Sequence, residues 1–256
     1  NIISRIKKLK YKTTIGVVGK YIDLKDAYKS LHEALYHASY EANTHLTIKY
    51  IDSEELEQSS AKKLLSGCDG ILVPGGFGDR GFEGKISAIQ YARENNVPFF
   101  GICLGLQMAI IEYARNVCRI KDANTRESNK KTKNYLIDIM KNQKNIKEKG
   151  GTMRLGKYPC NLKKSSKAYN AYKKIKISER HRHRYEVNPS FHLKLKQNGL
   201  ILSGLSPDGK LVEIIELKKH KWFLACQFHP EFKSKPFSPH PLFKGFIKAS
   251  TDSKND

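Results

Sequence analysis

Residues 97–107 read VPFFGICLGLQ. An apolar run meets Gly101, Cys103 stands between two glycines, and an apolar pattern at helical spacing follows Gly105. A G-x-nucleophile-x-G turn from strand to helix holds its central side chain at a strained backbone position, exposed at the carboxyl edge of a sheet. For cysteine there is a second consequence, because a helix N-terminus favours the thiolate. Taken alone, the stretch fits equally well a small buried cysteine at an ordinary strand-to-helix junction.

The neighbouring sequence supplies the rest of the sheet. TTIGVVGK (13–20), HLTIKYI (45–51) and GILV (70–73) read as further strands, apolar on both faces rather than alternating. Between them DLKDAYKSLHEALYHASYEA (23–42), EELEQSSAKKLL (54–65), FEGKISAIQYARENN (82–96) and LQMAIIEYARNV (106–117) read as helices, with Asp23 available as a cap. Strands alternating with helices imply parallel pairing with helices on both faces. Further on, KIKISER (174–180), HRYEV (183–187), LILSGLS (200–206), KLVEIIEL (210–217) and KWFLACQF (221–228) are short strands joined by turns such as SPDGK, and these are expected to be antiparallel. The expected fold is one α/β domain over residues 1–256, a three-layer arrangement with a mixed, mostly parallel sheet, flanking helices and an antiparallel extension. Residues 121–149 are polar and rich in Lys and Asn, with only YLIDIM (135–140) interrupting, and read as a basic, mobile surface excursion.

Composition narrows the function classes. The formal charge is +22 over 256 residues, yet the lysines are spread over helix faces and loops, and the dense runs at 1–12, 121–149 and 163–176 carry few aromatic platforms. A lysine-biased solvated surface is therefore expected, and nucleic acid is not the expected partner. No stretch is long and apolar enough for a membrane span. Five cysteines without a CxxC pair argue against a disulfide framework or zinc ribbon and for a reducing, cytoplasmic setting. The chain opens on Asn1, so a piece of a longer polypeptide is expected, with residues 1–12 as a linker.

Three further stretches could carry chemistry. In CQFHPEF (226–232) an apolar strand ends in His229, with Glu231 two residues on. In an extended segment those side chains point the same way, and a carboxylate that accepts one ring N–H leaves the other nitrogen as a base. A surface HPE turn is the bland alternative. In VPGGFGDRG (73–81) glycines after a strand allow backbone N–H groups to face a cleft, as a developing oxyanion requires, or simply make a flexible loop. Neither this loop nor GVVGKY (16–21) has the spacing of a phosphate-binding P-loop. SERHRHRYEVNP (178–189) places Arg180, Arg182 and Arg184 on one side of a strand, His181 and His183 on the other. The arginines could grip a carboxylate or phosphate. A zinc site from His181, His183 and His229 is not expected, since no second ligand pair stands at usual spacing.

The order GICLG, then HPE near the C-terminus, with PGGFG upstream, resembles a class I glutamine amidotransferase domain. IGVVGKYIDLKDAYKSLHEAL, GGTMRLG, ERHRHRYEVNP, LVEIIEL and CQFHPEF narrow the likeness to the C-terminal glutaminase domains of the CTP synthase family, over nearly all of the chain except about 121–149. The resemblance implies catalytic Cys103, His229 and Glu231, with an oxyanion held by backbone N–H groups of the Gly75–Gly76 loop and Leu104. It implies L-glutamine contacts at Gly76, Leu104, Gly105, Leu106, Gln107, Glu127 and Arg184. An acidic and a basic partner, such as Glu127 and Arg184, suit the two charges of free glutamine. The implied partner is a synthetase domain of the same polypeptide, using ATP and Mg²⁺ to convert UTP to CTP under a GTP effector, in a homo-oligomeric full-length enzyme; no cofactor or metal is implied in this domain. Two departures are visible. Leu106 stands where the family usually has Met, and the basic stretch before GGTMRLG, where the family has a lid, does not align. Another amidotransferase of the class, or a non-catalytic regulatory domain of this fold, are the alternatives.

Overall fold

The apolar runs do become a sheet buried on both faces, in a computed structural model that describes residues 8–20, 28–76, 78, 80–128, 131–139 and 153–252. β1 (Tyr11–Gly19) lies between β2 (Thr44–Asp52) and β3 (Gly70–Val73), and β4 (Phe99–Ile102) follows, all parallel. α1 (Lys29–Glu41), α2 (Glu55–Gln58), α3 (Ala61–Leu65), α4 (Phe82–Glu94) and α5 (Leu104–Asn116) connect them. After α5 come β5 (Asn124–Thr125), β6 (Tyr135–Ile139), β7 (Arg154–Leu162), α6 (Lys167–Tyr172), β8 (Lys176–His183), β9 (Tyr185–Val187) and α7 (His192–Gln197). β10 (Ile201–Leu205), β11 (Val212–Glu216), β12 (Phe223–Cys226) and α8 (Pro241–Asp252) complete the chain. The order of the large sheet is β2-β1-β3-β4-β12-β11-β10-β7-β8, and β5-β6-β9 form a small second one.

Strand alternation divides the core into two layers. Val18, Ile71, Phe99 and Phe223 face one side, packing with Ile86 and Ile89 of α4 and Met108 and Ile111 of α5. Ile15, Leu72, Phe100 and Leu224 face the other, against Leu31 and Leu35 of α1 and Phe243, Phe246 and Ile247 of α8. Successive strand residues point to opposite faces, so a strand covered on both sides must be apolar throughout. That is the three-layer arrangement expected from the sequence.

Several expectations are corrected. KWFLACQF is not wholly part of the antiparallel extension: β12 pairs parallel with β4, with Ile102 opposite Cys226, and antiparallel only with β11. EELEQSSAKKLL is two short helices, because Ser59 takes an extended conformation (φ −126°, ψ 154°) and breaks the ladder. β7 was not anticipated, and its Gly156 and Pro159 are residues that strands disfavour. Pro159 is tolerated because β7 meets β10 only through Asn161 and Leu162. Tyr11 and Lys12, expected within a linker, belong instead to β1, where they pair with Thr44 and His45. The polar excursion is not all surface: Leu136 and Ile137 of β6 and Ala123 before β5 are fully buried against α5 and its neighbours. Asp23, residues 1–7 and residues 140–149 lie outside the described residues. Among the described residues no helix is long and apolar enough to cross a membrane.

Candidate active site

The elbow at Cys103 is built by close approach of backbones. A Cβ on Gly105 would collide with the carbonyl oxygen of Val73 in β3, and one on Gly101 would sit 2.8 Å from Ala225 Cβ and from the Gly105 carbonyl. Only glycine lets α5 start this close to the sheet. Between the two, Cys103 is held at φ 51°, ψ −99°, a conformation non-glycine residues rarely adopt, and it caps α5 from outside. Its N–H donates to Cys226 O at 2.7 Å, which ties the elbow to the adjacent strand.

Because β4 and β12 run parallel, both end at the same edge of the sheet. The residues after Cys226 therefore emerge beside Cys103. His229 is fixed by its own N–H, donated to Arg180 O of β8 at 2.8 Å, and Phe232 stacks on its ring with centroids 5.5 Å apart. Glu231 meets it at 2.7 Å between Oε1 and His229 Nδ1. The pair is not joined through an extended segment as the sequence suggested: Pro230–Lys233 is a 3-10 turn, with Pro230 opening it, and the turn brings the carboxylate back to the ring. The imidazole also lies close enough to Cys103 for the two to act on each other electrostatically. Burial alone would lower the His229 pKa, but the negative charge of Cys103, joined by Glu231, raises it to about 10. The imidazole is thereby held as imidazolium across the neutral range.

The glycine loop closes the site from the β3 side. A Cβ on Gly75 would lie 2.8 Å from His229 Cε1 and 3.5 Å from Cys103 Cβ, while one on Gly76 would lie 3.5 Å from Leu104 Cδ2. Gly75 and Gly76 thus face the first turn of α5, whose leading N–H groups have no acceptor within the helix. The far end of the loop is pinned by buried Lys85, whose Nζ donates to Arg80 O at 3.0 Å, Gly81 O at 3.2 Å and Ser53 Oγ at 3.2 Å. Burial depresses the pKa of that ammonium to about 8.

The other residues singled out from the sequence divide. Gly78 N–H donates to Glu127 Oε1 at 3.4 Å, so this carboxylate sits on the glycine loop rather than out in solvent. Glu127 and Arg184 act with opposite sign on the Tyr185 hydroxyl, whose pKa is raised by burial first and then by Glu127. An acidic and a basic group are therefore both within electrostatic reach of one tyrosine. Leu106 is different: its side chain is fully buried in the core, and its N–H donates to Cys103 O at 3.1 Å, so it packs the elbow. Gly105 serves the close approach to β3. Gln107 is buried and its Nε2 donates to Tyr185 O and to Gln227 Oε1, both at 3.3 Å. Gln227 was not singled out from the sequence; its one signal was its place in CQFHPEF, two residues before His229.

SERHRHRYEVNP splits as its alternation indicated. Arg180 and Arg182 are exposed, whereas His181 and His183 are buried and hydrogen-bond each other at 2.8 Å through His181 Nδ1 and His183 Nε2. Arg184 falls after β8 ends, outside the row. Behind the histidines Arg154 bridges Glu213 at 2.7 Å and Glu186 at 3.3 Å. Burial lowers His181 to about 2 and His183 to about 3, and raises Glu186 to about 8.

An elbow cysteine, a histidine–carboxylate pair after the next parallel strand and a glycine loop across the helix N-terminus are the arrangement that cysteine-dependent acyl transfer of the amidotransferase type requires. The sequence profile of the family "Glutamine amidotransferase class-I" matches residues 23–249, and the chain belongs to that family. Its similarity narrows to one branch. The glutaminase domain of Trypanosoma brucei CTPS, solved with bound acivicin, superimposes with a TM-score of 0.88 at 41% identity, covering 94% of both chains. CTP synthases of Maridesulfovibrio salexigens and Bacillus subtilis are 57% and 53% identical over 95% and 99% of the chain. The chain spans about half the length of these curated relatives, 47% and 48%.

Proposed function

We propose that this chain hydrolyses the side-chain amide of L-glutamine through a thioester on Cys103 and supplies the ammonia with which a synthetase portion of the same polypeptide converts UTP to CTP. The observation that carries the reading is the Cys103 elbow at positive φ, with the half-buried His229–Glu231 pair at the end of the adjacent parallel strand. A domain that kept the fold only for regulation would have no use for a strained cysteine beside an imidazolium.

The residues suit each step. The Cys103 thiolate attacks the δ-carbonyl carbon of glutamine, forming a C–S bond and moving the carbonyl pair onto oxygen. Backbone N–H groups of the Gly75–Gly76 loop and Leu104 receive that oxyanion. His229 gives its proton to the departing nitrogen, the C–N bond breaks, and ammonia leaves. Glu231 holds the ring throughout, so the freed nitrogen then takes a proton from water as it attacks the thioester. The C–S pair returns to sulfur and glutamate departs. Glu127 suits the α-ammonium and Arg184 the α-carboxylate of the substrate. ATP, Mg²⁺ and the GTP effector belong to the synthetase portion in this reading, and no step above passes through them.

The test is Cys103→Ser in the full-length polypeptide. Glutamine-dependent ammonia release should vanish, while CTP formation from added ammonia survives. A Cys103→Ser protein that hydrolyses glutamine at the normal rate would falsify the thioester route.

A further inference from the structure

Gln227 leaves β12 directly and is fully buried. Its backbone is set by its N–H, donated to Glu213 O at 2.9 Å. Its side chain connects two groups. Nε2 donates to Cys103 Sγ at 3.6 Å, and Oε1 accepts from Gln107 Nε2 at 3.3 Å. Gln107 Nε2 also donates to Tyr185 O, a backbone carbonyl that can only accept. That carbonyl fixes the direction of the whole row. Gln107 must present nitrogen, Gln227 must answer with oxygen, and the Gln227 nitrogen is left aimed at sulfur.

An amide N–H aimed at sulfur gains little from a thiol, which is a weak acceptor, and much more from a thiolate. Burying an amide without such a return is costly. We infer that Gln227 is a donor to the Cys103 thiolate, complementing His229, and that Gln107 is a positioning residue that locks the Gln227 amide in the donating orientation. This rests on the proposed cysteine chemistry. The bond weakens when the sulfur pair becomes the C–S bond of the thioester, and it re-forms when hydrolysis returns that pair to sulfur. Gln227 thereby favours both the resting nucleophile and its expulsion as leaving group.

The experiment is alkylation of Cys103 by iodoacetamide, a neutral probe that requires no glutamine site, followed by peptide mass mapping against pH in the full-length polypeptide. Loss of one hydrogen bond to a charged group should move the rising limb of the rate profile of Gln227→Met to higher pH by about one unit. A displaced thiolate is also more nucleophilic, so the net fall in rate below the limb is about threefold. Gln107→Leu, which frees the Gln227 amide to rotate, should move the limb the same way by less. An unchanged profile in folded Gln227→Met overturns the inference. If that variant does not fold, an unchanged profile in Gln107→Leu does so, even where its KM for glutamine rises. Wild-type protein that releases no ammonia from glutamine would overturn the proposed function instead, and the alkylation profiles would still decide the amide row.

Discussion

At Cys103 the elbow, the helix start and a neighbouring imidazolium converge on one sulfur. The pKa of His229 is the quantity through which this acts. Glu231 is among the groups that raise it, so removing the carboxylate charge must lower it. His229 stays protonated below about 10 and can then protonate departing ammonia; that capacity is lost as pH rises through this value. In Glu231→Gln the alkaline limb of kcat/KM for glutamine should therefore move to lower pH, and the plateau should drop by about 10² or more as the ring loses its orienting partner. A limb that stays in place would mean Glu231 does not govern His229. Gly75 makes a second prediction at this scale. A methyl group there would press on His229 Cε1, so Gly75→Ala should lower the rate of glutamine hydrolysis by roughly 10², the cost of about 1 Å of misplacement. Thermal stability should change little, since Gly75 lies in a partly open loop. These residues were legible because each stood in a short pattern with a chemical reason. Gln227 was not, because a glutamine beside a histidine has no pattern of its own until sulfur is seen at 3.6 Å.

Among the elements, β4, α5 and β12 form the unit that makes the site. α5 can start where it does only because Gly105 lets its first turn rest on the end of β3. Gly105→Ala should therefore destabilise the protein by about 1–3 kcal/mol, as overpacking does, seen as a lowered denaturation midpoint with an unchanged slope. Glutamine hydrolysis should suffer with it, because the elbow and the helix move together. A variant as stable as the parent would show that β3 yields freely. Periodicity found α1, α4 and α5 and the parallel strands, since each has an unbroken apolar pattern. It missed the break at Ser59 and the strand β7, whose Gly156 and Pro159 are turn signals that pairing with β8 overrides. Tertiary context outweighs local propensity wherever a neighbouring strand offers a full ladder.

For the whole molecule, the buried set around Arg154 ties the antiparallel extension to the sheet behind the site. Its histidines make stability depend on pH. Folded His181 and His183 resist protonation down to about 2 and 3, whereas in the unfolded chain they take protons near 6.5. Stability is thus lost as pH falls below 6.5. Glu186 acts oppositely: its folded carboxyl, near 8, holds a proton that the unfolded chain releases above 4.5. Burial raises Glu213 as well, and lowers His192 and His220, so the histidines outnumber the carboxyls and stability falls as pH drops from 6.5. Urea midpoints measured at mildly acidic and neutral pH should show it, and a His183→Asn protein should show a shallower slope. Equal midpoints would mean these rings titrate freely in the fold. The sequence by itself determined the three-layer arrangement and singled out Cys103, His229 and Glu231 as candidates, because apolar periodicity and glycine placement act over a few residues. Only the tertiary structure decided that β12 runs parallel beside β4, that Gln107 and Gln227 line up on the sulfur, and that Leu106 is core. Those depend on which strands become neighbours, and pairing between segments 124 residues apart is set by the global packing of both layers rather than by either segment.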